Sequence, residues 1–75
     1  MQLKGWTAEE YRDFLDRWNL RQVDGAWLCN QTARTGRYWA QVGVPVPCTL
    51  LLKAFDDKLI PLEWFAKNVT VPIPE

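Results

Sequence analysis

Apolar residues recur along this chain with the spacing of buried helix faces, and the breaks between them carry residues that start or stop helices. Tyr11, Phe14, Leu15 and Trp18 fall at i, i+3, i+4 and i+7, the pattern of one buried face on an amphipathic helix. Thr7, with Glu10 three residues later, supplies a capping box ahead of that face, and Trp6 with Tyr11 can form the accompanying hydrophobic staple. The opposite face carries Glu9, Arg12, Asp13, Asp16 and Arg17, with Asp13 and Arg17 at ion-pair spacing. Asp13 and Asp16 read as solvated side chains rather than an acid–base pair, since nothing nearby would perturb them. The pattern predicts a helix over about residues 7–18, closed by Asn19.

Further on, Cys48, Leu51, Leu52 and Phe55 repeat the same spacing and predict a helix over about 47–56 that closes the core. Pro45 and Pro47 impose extended geometry ahead of it, and Pro47 can start it. Asp56 and Asp57 sit unfavourably at its negative end, so it should stop there. Pro61 starts a short last helix, about 61–67, with Trp64 and Phe65 as its apolar residues. From 68 to 75, Val69, Val71 and Ile73 alternate with Thr70, Pro72 and Pro74. That alternation predicts an extended arm or edge strand, with a frayed terminus as the plainer alternative.

The stretch from Leu20 to Trp39 organises the rest. Two short helices, about 21–29 and 32–40, meet at a tight turn centred on Asn30. Asparagine tolerates the left-handed backbone that ends a helix. Thr32 is placed to cap the second helix. Ala26, Leu28 and Cys29 are the packing candidates of the first helix, and Thr35, Gly36 and Trp39 those of the second. Thr32, Ala33, Arg34, Arg37, Tyr38 and Gln41 then face outwards. Trp27 fits three roles: core, partner-facing anchor, or wall beside a nucleic-acid backbone. Core is favoured, because small domains need their large aromatics inside. This is the layout of a helix-turn-helix, whose second helix enters a DNA major groove.

The same stretch resembles the Cro/CI-type (XRE) helix-turn-helix of phage and bacterial repressors. That family has Gln at the head of the first helix, Ala four residues on, Gly at the turn, Ser or Thr opening the second helix, and often Trp near its end. Gln22, Ala26, Asn30, Thr32 and Trp39 occupy those slots without insertion or deletion, and Pro45-Val46-Pro47 resembles the connector into the family's fourth helix. The resemblance runs from Thr7 to about Phe65, with two departures. Asn30 replaces the turn Gly. Gly36 replaces a buried Val or Ile, an expected loss of packing and of about 1 kcal/mol of helix propensity.

The resemblance implies an all-α, lambda-repressor-like domain of four to five helices over residues 1–67, followed by an extended C-terminal arm over 68–75. It implies a sequence-specific DNA-binding transcriptional regulator, a repressor of phage or mobile-element type, with double-stranded DNA as partner. Thr32, Ala33 and Arg34 would reach base edges, Arg34 pairing with guanine O6 and N7 and a methyl of Ala33 or Thr32 touching a thymine methyl. Gln22, Arg21, Arg37 and Tyr38 would meet phosphates, and Gln41 completes the DNA-binding set. A homodimer, joined through the arm, would present two such helices about one DNA turn apart.

Composition narrows the alternatives. Seventy-five residues make one small domain with a modest core. No apolar run reaches membrane-spanning length and no charged-then-apolar signal opens the chain, so a cytoplasmic location in a bacterial or phage-infected cell is expected. Cys29 and Cys48 lie among apolar neighbours and read as free buried thiols. Asn68-Val69-Thr70 matches a glycosylation acceptor but carries no weight without a secretory signal. Net charge is zero, yet it is unevenly spread: −1 over residues 1–20, +3 over 21–53 and −2 over 54–75. The positive share therefore falls on the paired helices.

Enzymatic readings find little support. The chain has no His, the usual general base and commonest metal ligand. Two distant Cys give no zinc spacing, and no glycine-rich phosphate loop is present. No enzyme activity, cofactor or small-molecule substrate is expected. The alternative function is a protein-binding module, or phage-encoded inhibitor, that keeps this fold; zero net charge, five tryptophans and Gly36 favour it.

Overall fold

The computed structural model describes residues 4–73. The order of elements is α1 (Ala8–Trp18), α2 (Gln22–Leu28), α3 (Ala33–Val42), α4 (Val46–Asp56) and α5 (Leu62–Asn68), with no strand among the described residues. The Cα radius of gyration, 11.3 Å, matches the roughly 11 Å of a folded domain of this length.

Three of the helices end in one way, and two of those ends follow directly from residue type. At Asn19 (φ 54°) and Asn30 (φ 59°) the chain turns left-handed. The Leu20 and Gln31 amides then reach back to the Leu15 and Ala26 carbonyls, while Asn19 and Asn30 donate to Asp16 and Trp27. These are Schellman closures, which satisfy carbonyls that a helix end would otherwise leave unpaired. The third closure is at Lys58 (φ 62°), with Leu59 donating to Ala54 and Lys58 to Phe55. Lysine has no local compensation there, and left-handed backbone costs an ordinary side chain roughly 1–2 kcal/mol. α1 starts on the expected capping box, the Thr7 amide donating to Glu10 Oε1 and the Glu10 amide to Thr7 Oγ1, each 3.1 Å.

The core joins α1, α2, α3, α4 and the single inward residue of α5. Tyr11, Phe14, Leu52 and Phe65 are fully buried, with Trp6, Leu15, Ala26, Leu28, Trp39 and Phe55 around them. Trp6 packs its ring on Phe14 (centroids 5.1 Å apart), and Tyr11 meets Trp39 edge-on at 5.8 Å. Trp6 and Tyr11, the residues of the expected staple, lie in the same buried cluster. Trp64, expected among the apolar residues of the last helix, is exposed. Cys29 and Cys48 are free, and burial pushes the Cys29 thiol up.

Several polar side chains that the sequence alone places on the surface hold the helices together. Arg17 pairs with Asp56 (2.8 Å) instead of Asp13, and Trp18 Nε1 donates to the same carboxylate at 2.7 Å. Burial alone would raise the Asp56 pKa; the bonds from Arg17 and Trp18 and the Arg17 charge outweigh it and hold the carboxyl below its usual range. Thr49, the only buried polar side chain among the described residues, accepts from the Trp6 amide (2.9 Å) and donates to the Val44 carbonyl (3.3 Å). The Val44 amide in turn donates to Trp6 O at 2.8 Å. This closed set of bonds fastens the segment before α1 to the connector before α4.

The C-terminal segment does not extend as an independent arm over the described residues. α5 runs to Asn68, and the chain then folds back to the α2–α3 turn. There Asn30 Oδ1 accepts from Thr70 N (2.9 Å), Thr70 Oγ1 (3.1 Å) and Val71 N (3.2 Å). Pro74 and Glu75, the end of the expected arm, lie outside the described residues.

Candidate nucleic-acid interface

The face of interest is built on α3, and its position is set by how closely α3 lies on α2. The contact point is Gly36. A Cβ placed there would stand 2.3 Å from Gln22 O, 2.9 Å from Val23 Cα and 3.0 Å from Gln22 C. The glycine is therefore not a buried Val or Ile lost from the packing; the absent side chain lets the α2 backbone occupy that space. Gly25 makes room in the same way on α2, where a Cβ would stand 2.3 Å from Tyr11 Oη. Tyr11 uses the space to donate its hydroxyl to Gln22 O at 2.6 Å. Burial raises the phenol above its ordinary pKa and keeps it a donor.

The far end of α3 is held by α1. Arg12 Nη1 donates to Ala40 O at 2.6 Å, giving one of the last helical carbonyls a partner and placing positive charge at the negative helix end. Periodicity alone puts Arg12 on a solvated face. Gly36, Trp39 and Ala40 are buried beneath α3, and Thr35 is half-buried.

With that side inward, Arg34, Arg37, Tyr38 and Gln41 form an exposed row at i, i+3, i+4 and i+7. Neither Arg34 nor Arg37 makes an ion pair among the described residues. Tyr38 is 60% exposed and Val42, one residue beyond Gln41, 58%. Ala33, expected to reach outwards, is half-buried. Thr32 takes the N-cap position and is exposed, but its hydroxyl makes no capping bond; it lies 3.4 Å from Thr35 Oγ1. The amides of the first turn of α3 therefore have no side-chain cap, an arrangement suited to a negatively charged oxygen.

Gln22 is exposed at the first turn of α2. Arg21, expected to meet phosphate, is engaged within its own chain: Nη2 pairs with Asp24 Oδ1 at 2.8 Å, Nε with Oδ2 at 3.1 Å, and the Arg21 amide with Oδ2 at 2.8 Å. Burial of Asp24 would raise its pKa, but these bonds and the Arg21 charge prevail and hold it low. The sequence carries no sign of this beyond the three-residue spacing. The cationic side chains left to the face are Arg34 and Arg37.

No group of His, Cys, Asp and Glu among the described residues is arranged to hold a metal ion, and no helix there is long and apolar enough to cross a membrane. Comparison of the chain with protein-family models, curated proteins and solved structures gives no match.

Proposed function

We propose that α2 and α3 act as a helix-turn-helix of the Cro/CI kind, and that the chain is a sequence-specific regulator of transcription, a repressor, binding double-stranded DNA through α3. The observation that carries this reading is the row Arg34, Arg37, Tyr38 and Gln41, exposed along one edge of a helix whose opposite edge lies backbone-close on its partner. Such a helix is stiffly mounted and offers guanidinium groups outwards, as groove reading requires. Arg34, nearest the start of α3, is the base reader. Arg37 and Tyr38 face phosphates, and the uncapped first turn adds backbone donors to the same strand.

A homodimer belongs to the proposal because one small module makes few phosphate contacts. Over residues 70–72 the extended arm that the sequence pattern predicts is not free to supply its contact surface. Thr70 and Val71 are engaged by Asn30, and Pro72 has no amide proton to give a neighbouring strand.

Selection of bound duplexes from a random pool tests the reading. A recovered consensus should be bound with a log–log salt slope of about −0.9 per phosphate contacted. Arg34→Ala should cost about 1–3 kcal/mol and relax preference at one position, whereas Arg37→Ala should weaken all sequences alike. A consensus bound equally by wild type and both variants would remove α3 from the groove. Exposed Tyr38 and Val42 on the same row favour a second reading, a protein partner, which an empty selection would support.

A further inference from the structure

We propose that the protein binds a small apolar monocarboxylate, an alkyl or aryl chain ending in one carboxyl group, in a groove between α2, the α4–α5 connector and α5. The groove has a volume of about 800 Å³, within the range of small-molecule sites. Its walls are almost wholly apolar, with Trp18, Trp27, Phe55, Ile60 and Leu62 among them. It lies apart from the α3 row and is independent of the DNA reading.

Charge at the rim decides what the occupant carries. Asp24 and Lys58 are the two ionic side chains lining the groove. Asp24 is already neutralised by Arg21 at 2.8 Å. Lys58 has no ion pair among the described residues, which leaves the rim with a surplus cation. Asp56, two residues earlier, is committed to Arg17 and Trp18, and Asp57 does not line the groove. The backbone reinforces this. Lys58 stands left-handed at the end of α4 (φ 62°), where glycine or asparagine is the unstrained choice. A strained position that keeps a long cation beside an apolar groove is what anchoring a carboxylate calls for.

The test is a titration of the whole chain with octanoate and with 4-phenylbutyrate, each beside its neutral alcohol, octan-1-ol and 4-phenylbutan-1-ol. It is read on the indole N–H resonances of the five tryptophans. At least one acid should give a saturable shift confined to Trp18 and Trp27 and bind about tenfold tighter than its alcohol, the size of one charge-assisted bond. The acid that does so tells an alkyl ligand from an aryl one. Lys58→Gln should abolish the difference between acid and alcohol while leaving alcohol binding in place. Ala66→Trp, at an exposed position lining the groove, should abolish binding of both without changing the circular dichroism. The proposal falls if neither acid saturates, if acid and alcohol bind equally to the wild type, or if Ala66→Trp leaves binding intact. It falls equally if sedimentation shows self-association that Ala66→Trp removes, because a second copy would then be the occupant.

Discussion

Gly36→Ala sets two effects of opposite sign against each other, and the structure says which wins. On propensity alone, replacing a mid-helix glycine by alanine stabilises by about 1 kcal/mol. At this position, however, the new Cβ would stand 2.3 Å from Gln22 O and 2.9 Å from Val23 Cα. Non-bonded heavy atoms prefer about 3.5 Å, so α3 would have to retreat by about 1 Å. Both obstructing atoms are backbone, and no side chain can swing aside. The retreat would lift Trp39 and Ala40, buried beside Gly36, off their neighbours. Overpacking costs about 1–3 kcal/mol and occasionally more. With backbone on both sides of the new Cβ, the upper part of that range applies, about 2–4 kcal/mol before the propensity gain is subtracted. We expect a net loss of about 1–3 kcal/mol after the propensity gain, and a larger loss for Gly36→Val, which restores the residue type of the resembling family. Against a total stability of about 4–11 kcal/mol for a chain of this length, either variant should be plainly weaker. With a urea m-value of about 1 kcal/mol/M, the midpoint should fall by about 1–3 M, by circular dichroism and tryptophan fluorescence alike. A Gly36→Ala protein as stable as wild type, or more so, would refute the close approach of α2 and α3.

Two further outcomes follow from buried or paired polar groups. Thr49→Val keeps the shape but leaves the Trp6 amide without an acceptor and removes the bond to Val44 O; it should cost about 1–3 kcal/mol in urea unfolding, and a neutral result would deny the link between the chain's opening segment and the α4 connector. Asp24 and Asp56 have folded pKa values held below the ordinary carboxylate range, so their contribution is full above about pH 4 and is lost as pH falls through the folded values. The urea midpoint of the wild type should therefore drop more steeply on acidification than that of Asp56→Asn, and parallel profiles would show that the Arg17 pair contributes nothing.

What the sequence discloses is local. The Thr7–Glu10 box and the left-handed turn at Asn30 are each specified by residues a few positions apart, and expectation and fold agree there. The ends drift slightly: the fourth helix begins at Val46 rather than Pro47, and the third runs on to Val42. The unread features join distant residues. Arg12 and Ala40 are 28 positions apart, Asn30 and Thr70 are 40, and Trp6 and Thr49 are 43. No periodicity marks such pairs, because a single hydroxyl, carboxamide or guanidinium can face any carbonyl the fold brings near. The same limit explains the site: the outward row on α3 is legible from 3.6-residue spacing, whereas the engagement of Arg21 by Asp24 and the true role of Gly36 depend on distances between atoms.

The hold of Asn30 on Thr70 and Val71 has a practical bearing on how the protein is handled. Four residues follow Val71 to Glu75, a reach of at most about 14 Å when fully stretched. Anything joined after Glu75, whether an affinity tag or a fused domain, is thereby leashed near the turn that launches α3. Attachment ahead of Met1 moves the load to the other end of the same helix, because Trp6 is bonded to Val44, two residues past the end of α3. Binding measured with each arrangement would show which end of α3 needs open space.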